Sequence, residues 1–460
     1  MIGGGIVGAG VARDAAMRGL RTGLIEQNDF ASGTSSRTTR LIHGGIRYLA
    51  QGSIGLVRQA SKEKRIISHI APHLAQPMPF IFPTYQGSDW PYWKLRIGVR
   101  IYDWLCGDHN LGKSGPVSVD ELQQQLPHLN TDQLSGAVRY FDGATNDARL
   151  VIDTLRSADR SGATLCNYVR LDDARAESKR WTCQVYDQIT EQVHLVRARC
   201  VVHATGPWAN FFAKSKISIR GTKGVHLVID HARIPIAEAL MMAEQERVVC
   251  AIPWGDRVYV GTTDTDYRGA LDEVKTDSAD IEYLLTVLNR YFPGVVLSEA
   301  DIIRTWAGVR PLVAQTGRPS EVSRAHKISI TDDGWVDVAG GKLTTYRLMA
   351  QQVVDKICSQ LRLSSPACTT ATTPLLENGQ AQVFSALLPP PVTEATVKHY
   401  CRHEWAIHLD DVMVRRSRWH YYHRDTGAMA ERVATWMAQY LGWDAGRVQD
   451  ELNRYTLTLD

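Results

Sequence analysis

The sequence lacks the features that assign a chain to several common classes of protein. It contains no internal repeat, no signal-peptide pattern and no apolar run of the roughly 18 residues that a spanning helix requires. Its eight cysteines are scattered, without a C-x-x-C pair or a histidine cluster at zinc-ligand spacing, and reduced thiols in the cytosol are the simplest expectation. The net charge is only +3 and no basic stripe is concentrated anywhere. No metal site and no nucleic-acid partner are therefore predicted.

The composition is that of an ordinary globular protein. Hydrophobic residues make up 44% of the chain and charged residues 22%. A length of 460 residues exceeds what one compact core accommodates, so two or three domains with a shared interface are expected. Because the overall charge is small, an anionic ligand must be bound by a local group of cationic side chains.

The first ten residues, MIGGGIVGAG, favour a dinucleotide-binding site. Gly3, Gly5 and Gly8 fit the pattern G-x-G-x-x-G and lead into small and apolar residues at helical spacing. Glu26 ends the next predicted strand, where an acid accepts hydrogen bonds from an adenosine ribose. Because glycines let a pyrophosphate approach the backbone at a helix N-terminus, the four residues together predict a dinucleotide cofactor.

The strand that should precede these glycines is short. Only Met1 and Ile2 stand before Gly3, whereas a central parallel strand needs about five residues. A start codon assigned too far downstream is the favoured explanation, with a fragmentary gene and a weakened central strand as the alternatives. If the strand is weakened, cofactor affinity and stability are both expected to suffer.

The segment after Glu26 favours FAD over a nicotinamide cofactor. Residues 31–45 are rich in Gly, Ser and Thr, which suits a loop wrapped on a long, fixed cofactor. Gly340 and Gly341 stand between another predicted strand and helix, so their amides can meet a second part of the same cofactor. An ordinary tight turn is the alternative for this second glycine pair.

The order of predicted elements indicates an α/β protein. Helix and strand alternate between residues 145 and 213, β-rich runs follow up to residue 330, and helical periodicity returns after the three prolines at 389–391. A cofactor domain, a mixed-sheet substrate domain and a C-terminal helical domain are expected. Their predicted boundaries are 1–75, 145–215 and 325–365 for the discontinuous cofactor domain, 76–144 and 216–324 for the substrate domain, and 385–460 for the helical domain.

Eight motifs run through nearly the whole chain: TSSRTTRLIHGGIRYL, DARLV, ATGPWA, KGVHLVI, IPW, VGTTDTDY, AGVRPL and GGKLTTYR. In this order and approximate spacing they resemble the motifs of the FAD-dependent glycerol-3-phosphate dehydrogenases, the respiratory, quinone-reducing type. Amino-acid and sarcosine oxidases share the FAD fingerprint but lack the combination of HGGIRYL, GVRPL and GGKLTTYR. The resemblance implies a Rossmann-like FAD domain of the glutathione-reductase and D-amino-acid-oxidase type. It also implies oxidation of sn-glycerol 3-phosphate to dihydroxyacetone phosphate, a reaction of glycerol metabolism.

The same resemblance implies roles for individual residues. His226 matches the family's active-site histidine, which takes the substrate proton while the C2 hydride passes to flavin N5, and His43 is the alternative base. The residues expected to hold the substrate are Arg47, Tyr48, Asp264, Arg310, Arg324 and Lys342, with Arg47 and Arg310 also counted as catalytic. The residues expected to hold the flavin are Gly3, Gly5, Gly8, Glu26, Thr34, Ser35, Ser36, His43, Gly44, Gly45, Gly206, Gly341, Lys342, Leu343 and Thr344.

One position departs from the family pattern. The family pattern before the histidine reads Lys-Gly-Ser-His, and this chain has Val225 in place of the serine. A small polar residue there would supply hydrogen bonds near His226. The hydrogen bonding of this histidine is therefore an open question for the structure.

Two segments are both basic and aromatic. Residues 90–105 have the composition of a helix at a bilayer interface, with a core helix that has a charged outer edge as the alternative, and residues 414–424 are similar in character. The resemblance implies a membrane quinone as electron acceptor, with peripheral attachment to the inner face of the cytoplasmic membrane. It leaves the oligomeric state open, a homodimer included.

Three other functions stay open at this point. A glycerol-3-phosphate oxidase that uses oxygen shares the fold, although that branch carries an extra segment for which this chain has no room. An amine or amino-acid oxidase of the same superfamily would need a carboxylate clamp but no phosphate clamp. The third alternative is a non-catalytic, flavin-binding descendant.

Overall fold

The structure, a computed structural model, describes residues 1–46, 49, 52–178, 180–244, 247–314, 326–377 and 383–458. Within these residues the strands are β1 (Gly23–Ile25), β2 (Leu41–Ile42), β3 (Ala75–Tyr85), β4 (Gly115–Val117), β5 (Leu134–Thr145), β6 (Thr164–Cys166), β7 (Val169–Glu177), β8 (Arg180–Asp187), β9 (Gln192–Ala198), β10 (Val201–His203), β11 (Ile219–Asp230), β12 (Ala239–Glu244), β13 (Arg247–Trp254), β14 (Arg257–Gly261), β15 (Thr265–Asp266), β16 (Ile302–Val313), β17 (His326–Ile330) and β18 (Trp335–Gly340). The helices are α1 (Ile6–Met17), α2 (Ile54–Ile70), α3 (Tyr92–Cys106), α4 (Val119–Gln125), α5 (Asp147–Arg160), α6 (Ser278–Tyr291), α7 (Tyr346–Gln360), α8 (Glu394–His403), α9 (Trp419–Tyr422), α10 (Gly427–Leu441) and α11 (Ala445–Thr456).

A small and largely parallel sheet carries the glycine-rich N-terminus. β1 pairs with β6 and β10 pairs with β18, both in parallel, while β17 pairs with β18 in antiparallel fashion. Ile2 joins the two halves through parallel bridges to Ile25 of β1 and His203 of β10. Its amide donates to the carbonyl of Val202 at 2.8 Å, and its carbonyl accepts from the amide of Ala204 at 2.9 Å. The central strand predicted to be short is present as this single bridging residue.

Helix α1 packs on this sheet and between two other helices. It is rich in small residues, which let neighbouring elements approach closely. Ala9 and Ala12 lie in a core shared with Val151 of α5, whereas Val11 lies in a second core shared with Val353 of α7. Both faces of α1 are therefore buried, and its N-terminal turn is held rigidly at the edge of the sheet.

The larger sheet is mostly antiparallel. Its strands follow the order β15, β11, β14, β13, β12, β3, β5 and β2, with β16 also paired to β11 and β4 to β5. On one side Leu227 and Val260 pack with Leu284 of α6, and on the other side Phe80 and Trp306 join a core that includes α3. β2, which falls in the segment 1–75 predicted for the cofactor domain, pairs with β5 of this larger sheet.

Buried ion pairs fasten the C-terminal helices to the cofactor side. A π-helical turn at Asp411–Arg416 places Arg416 against Asp29, just beyond β1, with Nη2 of the arginine 2.7 Å from Oδ1. Arg418 donates to the carbonyl of Ser36 at 3.0 Å and pairs with Asp147. Ser36 belongs to the segment Gly33–Arg40, called the cofactor loop below. The C-terminal helices therefore support the cofactor loop directly.

The predicted fold class is confirmed: an α/β cofactor unit, a curled mixed sheet and a C-terminal helical region are all present. The domain boundaries stay a prediction. In the part of the chain that the structure describes, no helix has both the length and the apolar character that crossing a bilayer requires.

Candidate active site

Two adjoining cavities meet beside the cofactor loop. The larger, of about 490 Å³, lies between that loop and the strands β11, β14 and β16, and the smaller, of about 190 Å³, follows the glycine-rich N-terminus. They share the lining residues Thr34, Thr38, Pro311 and 341–343. The two cavities therefore form one elongated site that a long ligand can span.

The glycine-rich turn leaves no room for side chains. Gly3 has a φ of +105°, and a Cβ there would lie 2.6 Å from the carbonyl oxygen of Ala204. A Cβ on Gly8 would lie 1.9 Å from the carbonyl oxygen of Gly3. Helix α1 begins at Ile6, and Gly3, Gly5 and Ile6 all line the smaller cavity. This end of the site thus offers bare backbone and a helix N-terminus, which together suit a pyrophosphate.

Glu26 supplies the acid of the dinucleotide pattern. It lines the smaller cavity, where one carboxylate oxygen accepts from the amide of Gly4 at 2.7 Å and the other from the amide of Asn28 at 3.0 Å. Burial raises the pKa of Glu26, and these amide hydrogen bonds partly offset the rise. A carboxylate has about four acceptor positions, so capacity remains for ribose hydroxyls.

The second glycine pair lies where the two cavities join. Gly340 and Gly341 have φ values of +73° and +81°, and a Cβ on Gly341 would lie 2.4 Å from Sδ of Met349. Lys342 and Leu343 follow and line both cavities. The site therefore has a backbone-lined wall at its middle as well as at its N-terminal end, as an extended cofactor requires.

Most residues predicted to hold the flavin line these cavities, and four do not. Those that line a cavity are Gly3, Gly5, Glu26, Thr34, Ser35, His43, Gly45, Gly206, Gly341, Lys342 and Leu343. Thr344 instead accepts from the amide of His43 at 3.0 Å, Gly44 donates to Asp142 at 2.9 Å, and Gly8 packs on Gly3. The fourth, Ser36, uses its carbonyl to accept from Arg418. For these four residues the structure shows contacts within the protein, and their direct contact with the flavin stays a prediction.

His226 projects from β11 into the larger cavity and is almost fully buried. Its Nε2 lies 3.0 Å from Oγ1 of Thr39, and its ring stacks on Trp306 with centroids 4.9 Å apart and planes at 14°. Its Nδ1 is buried and has no hydrogen-bond partner among the described residues. Burial, followed by the charges of Arg310 and Arg40, holds the pKa of His226 well below its usual range, so the ring is neutral at pH 7.

Val225 does not disturb this histidine. Successive strand residues point to opposite faces, so the valine side chain lies in the core beyond the sheet while His226 faces the cavity. The amide of Val225 donates to Oγ1 of Thr263 at 3.1 Å. The hydrogen bond to the imidazole comes from Thr39 of the cofactor loop, which answers the question raised by the missing serine.

Arg310 belongs to β16, and its side chain reaches over the neighbouring strand β11. Its Nη2 donates to Oγ1 of Thr262 at 2.8 Å, and its Nη1 lies 3.1 Å from Oδ1 of Asp264. The guanidinium covers Gly224, where a Cβ would lie 2.3 Å from Nη2. Glycine at position 224 therefore makes room for the arginine fork in the larger cavity.

Other cations share this cavity with Arg310. Arg37, Arg247 and Lys342 line it, together with His43, the alternative base. A concentration of positive charge beside a neutral imidazole suits an anionic substrate from which a base removes a proton. The predicted substrate residues Arg47, Tyr48 and Arg324 lie outside the described residues.

Sequence reasoning missed three residues around the predicted base: Thr39 and Trp306, which contact it, and Arg40, which contacts Trp306. Thr39 and Arg40 stand inside the quoted motif TSSRTTRL but had no assigned role. Trp306 immediately precedes AGVRPL, and it is the register partner of His226 on the neighbouring strand. The pairing of β11 with β16 was the missing information, because it brings these residues together across the sheet.

Comparison with known families agrees with this geometry. Residues 1–347 match the model of the FAD-dependent oxidoreductases. Residues 376–448 match the model described as the C-terminal domain of alpha-glycerophosphate oxidase. The two matches cover the cofactor site, the substrate cavity and most of the C-terminal helices.

Individual relatives are similar along most of the chain. Aerobic glycerol-3-phosphate dehydrogenase of Staphylococcus epidermidis is 36% identical over 80% of this chain and 69% of its own length, and that of Staphylococcus aureus is 37% identical over 79% and 67%. The crystal structure of glycerol-3-phosphate dehydrogenase from Bacillus halodurans, complexed with FAD, aligns with all of this chain and 93% of its own at a TM-score of 0.81 and 27% identity. Alpha-glycerophosphate oxidase from Mycoplasma pneumoniae shares the fold, with a TM-score of 0.64 at 14% identity over 82% of this chain and 98% of its own. The chain therefore belongs to the FAD-dependent oxidoreductases, in the family of glycerol-3-phosphate dehydrogenases and oxidases, and its cofactor is FAD.

Proposed function

We propose that this enzyme oxidises sn-glycerol 3-phosphate to dihydroxyacetone phosphate and delivers the electrons to a membrane quinone. One observation carries the proposal: His226 and Arg310 line a single cavity that joins the cofactor cavity at Lys342. A base, an anion clamp and a cofactor site thus lie together, which is what oxidation of a phosphorylated alcohol needs.

His226 takes the proton of the C2 hydroxyl. The neutral ring has one unprotonated nitrogen that can accept a proton, and Thr39 contacts the ring at Nε2. When bound, FAD supplies the acceptor for the hydride that leaves C2. The C2–H and O–H bonds break, the C=O bond forms, and the proton stays on the imidazole until it exchanges with solvent.

Arg310 binds the phosphate group of the substrate. A guanidinium fork matches phosphate oxygens bidentately, and Asp264 and Thr262 hold the fork in place from the other side. Lys342 and Arg37 add positive charge to the same cavity. We expect the phosphate dianion to lie among these cations, with the reacting carbon toward His226.

The test is anaerobic addition of glycerol 3-phosphate to the purified holoenzyme while the flavin absorbance is recorded. Rapid bleaching by glycerol 3-phosphate, but not by glycine or sarcosine, is expected. His226→Asn should keep its FAD and bleach about 10²- to 10⁴-fold more slowly. His231→Asn, in the turn just after the same strand and with its ring near the carbonyl of Ile236, is the matched control and should bleach normally. Fast bleaching in His226→Asn would remove this residue as the base.

We further propose that the enzyme attaches peripherally to the cytoplasmic membrane, at its inner face. Trp93, Ile97, Ile101 and Trp104 lie at helical spacing on α3 and expose 43–73% of their surface. Basic side chains lie beside them: Lys94, Arg96 and Arg100 on the same helix, and Arg58 of α2, whose guanidinium carbon is 5.9 Å from the Trp104 ring. An apolar stripe bordered by cations suits the surface of an anionic bilayer.

The position of this stripe supports a quinone as the acceptor. Trp90, two residues before α3 begins, lines the larger cavity together with the apolar residues Phe80, Met241 and Val248. A helix embedded in the bilayer surface would thus bring this apolar wall close to the lipid. A quinone dissolved in the membrane could approach the cofactor from that side.

Vesicle co-sedimentation tests the attachment. Binding to phosphatidylcholine vesicles that contain phosphatidylglycerol is expected, with a loss on raising the salt concentration. The double change of Trp93 and Trp104 to serine should weaken binding at least about tenfold, because each buried indole contributes about 1–2 kcal/mol. Val193 and Leu195, on the exposed edge strand β9, provide a matched control when both are changed to serine. Equal loss in both double variants would contradict a specific role for α3.

Oxygen is the second candidate acceptor, favoured by the match of residues 376–448 to a glycerophosphate oxidase domain. After reduction by glycerol 3-phosphate, the reoxidation rate is measured with a soluble quinone analogue and with air-saturated buffer. Faster reoxidation by the quinone is expected. Faster reoxidation by oxygen with release of hydrogen peroxide would assign the oxidase reaction, and no bleaching of bound flavin at all would indicate a non-catalytic descendant.

A further inference from the structure

Arg40 is a buried cation without a conventional partner. Arg40 is 2% exposed, and none of its three guanidinium nitrogens has a hydrogen-bond partner among the described residues. Its guanidinium carbon lies 4.3 Å from the Trp254 ring centroid and 4.2 Å from that of Trp306, so it is held between aromatic faces. A buried charge that lacks hydrogen bonds is unfavourable for stability, and such a group calls for a functional explanation.

The charge of Arg40 persists at physiological pH. Burial lowers its pKa to about 10, which leaves the guanidinium protonated at pH 7. The backbone holds the residue in place, since its carbonyl accepts from the amide of Thr145 at 2.9 Å. The cation is therefore a permanent part of the wall behind the active site.

Two consecutive residues of the cofactor loop reach His226 by different routes. Thr39 contacts the imidazole directly through its hydroxyl, at 3.0 Å from Nε2. Arg40 acts through Trp306, because the indole contacts both the guanidinium and the stacked imidazole. The loop that borders the cofactor site thus also determines the surroundings of the proposed base.

We propose that Arg40 is a positioning residue for the reaction: its charge, transmitted across Trp306, keeps the His226 imidazole unprotonated and ready to accept the substrate proton. This inference rests on the proposed function, in which His226 is the base. A buried cation is useful here because the substrate brings a phosphate dianion into the same cavity, and that negative charge favours protonation of the histidine. Arg310 is engaged by the phosphate, whereas Arg40 lies behind Trp306 and keeps its full effect.

Among the charged groups around His226, two cations disfavour its protonation, and Arg40 is the one that does not also bind the phosphate in the proposed function. The titratable groups that line its cavity or lie on the adjoining strands are Arg37 and Arg40 of the cofactor loop, Tyr140 and Asp142 of β5, Arg247 and Cys250 of β13, Tyr259 of β14, Asp264 after β14, Arg310 of β16, Lys342 after β18 and His43. Apart from burial itself, the cations that lower the pKa of His226 are Arg310 and Arg40.

The size of the effect follows from the distances. The Trp306 centroid is 4.2 Å from the guanidinium carbon and 4.9 Å from the imidazole centroid. The two charged groups are thus at most about 9 Å apart, where a unit charge changes a protonation equilibrium about tenfold at an effective dielectric constant of about 20.

The pH profile of kcat/KM tests the proposal. Arg40→Met removes the charge but keeps an unbranched side chain between the two indoles. The acidic limb of the pH profile of this variant should shift to higher pH by about one unit. Activity near pH 5.5, relative to the plateau, should then fall up to about tenfold below that of the wild type. Arg40→Lys keeps the charge and should restore the wild-type profile. Arg257→Met, which removes an arginine stacked on Tyr422 at 5.3 Å, is the control and should leave the limb unchanged.

A second measurement does not depend on turnover or on the stability of a variant. In wild-type holoenzyme labelled at histidine Cε1, the NMR signal of His226 is assigned by its absence in His226→Asn. It should show no protonation down to about pH 6, below the ordinary histidine range. Titration of this signal at or above an ordinary histidine pKa would overturn the proposal, as would an unshifted limb in Arg40→Met or an equal shift in Arg40→Lys. If His226→Asn instead keeps full turnover, the proposed base itself is wrong, which separates the two failures.

Discussion

A single added methyl group at position 224 should disable the phosphate clamp. Gly224 of β11 lies beneath the Arg310 guanidinium, and a Cβ there would lie 2.3 Å from Nη2 and 2.7 Å from Nη1 and Cζ. Carbon and nitrogen atoms in contact need more than about 3.4 Å, so in Gly224→Ala the fork must move by about 1 Å. That movement breaks its hydrogen bonds to Thr262 and Asp264, now 2.8 and 3.1 Å long.

The displaced Arg310 side chain in Gly224→Ala is expected to weaken substrate binding. A charge-assisted hydrogen bond contributes about 1.5–3 kcal/mol, so the loss of one contact to the phosphate raises KM for glycerol 3-phosphate about 10- to 150-fold. The effect on plain glycerol, which has no phosphate, should be small. Steady-state kinetics with an artificial acceptor measures both substrates, and flavin absorbance reports the FAD content.

The control is Gly23→Ala in β1, another strand glycine, where an added Cβ would meet nothing within 4 Å. It should leave KM unchanged. If Gly224→Ala folds with full FAD content and an unchanged KM for glycerol 3-phosphate, Arg310 does not bind the phosphate. An equal rise in KM for glycerol would have the same meaning.

Other changes test how the cofactor site is supported. Arg418→Met removes the buried partner of Asp147 and the donor to Ser36, so the cofactor loop should loosen and the FAD dissociation constant rise at least about tenfold, measured by the fluorescence of flavin released on dilution. Gly8→Ala places a Cβ 1.9 Å from the carbonyl of Gly3 and should prevent stable FAD binding, whereas Gly19→Ala beyond α1 should bind FAD but lose some stability because its φ is +75°. Burial alone would raise the pKa of Glu404, but the Arg149 guanidinium holds it well below its usual range. Glu404→Gln should therefore cost about 3–5 kcal/mol at pH 7. Because the folded pKa is lowered, this stabilisation exists above the unfolded value of 4.5 and is lost as the pH falls below it, so the thermal midpoints of the two proteins should converge in acid. A gap between the midpoints that stays constant down to the lowest accessible pH would contradict this assignment.

Local pattern was sufficient to find part of the site. The spacing of Gly3 and Gly5 and the position of Glu26 follow from how a dinucleotide meets a strand and a helix, and they identify the smaller cavity without a structure. His226 and Arg310 were found by resemblance to family motifs, and both line the larger cavity. These residues are recognisable because each has its chemical role within a short stretch of chain.

The remaining contacts depend on tertiary pairing and could not be predicted. Trp306 and Arg40 are distant in the sequence, and they meet beside His226 only because β16 pairs with β11 and the cofactor loop crosses both strands. The hydrogen bonds of Gly44 to Asp142 and of Thr344 to His43 likewise join residues that are far apart in the sequence. A motif shows that a residue type is required, but it does not show whether that residue contacts the ligand or supports other residues of the site.

The position of α1 has a consequence for the synthesis of the protein. Ile2 pairs with a strand near residue 203, and Arg13 of α1 donates to the carbonyl of Thr370, 357 residues further along the chain. At translation rates of about 5–20 residues per second, about 20–70 s pass between the synthesis of Arg13 and that of its partner Thr370. The face of α1 that packs on α7 therefore stays uncovered until residues near 353 have been made. FAD can be captured only near the end of translation, so a chain cut before Thr370 should lack the flavin although every glycine of its fingerprint is present.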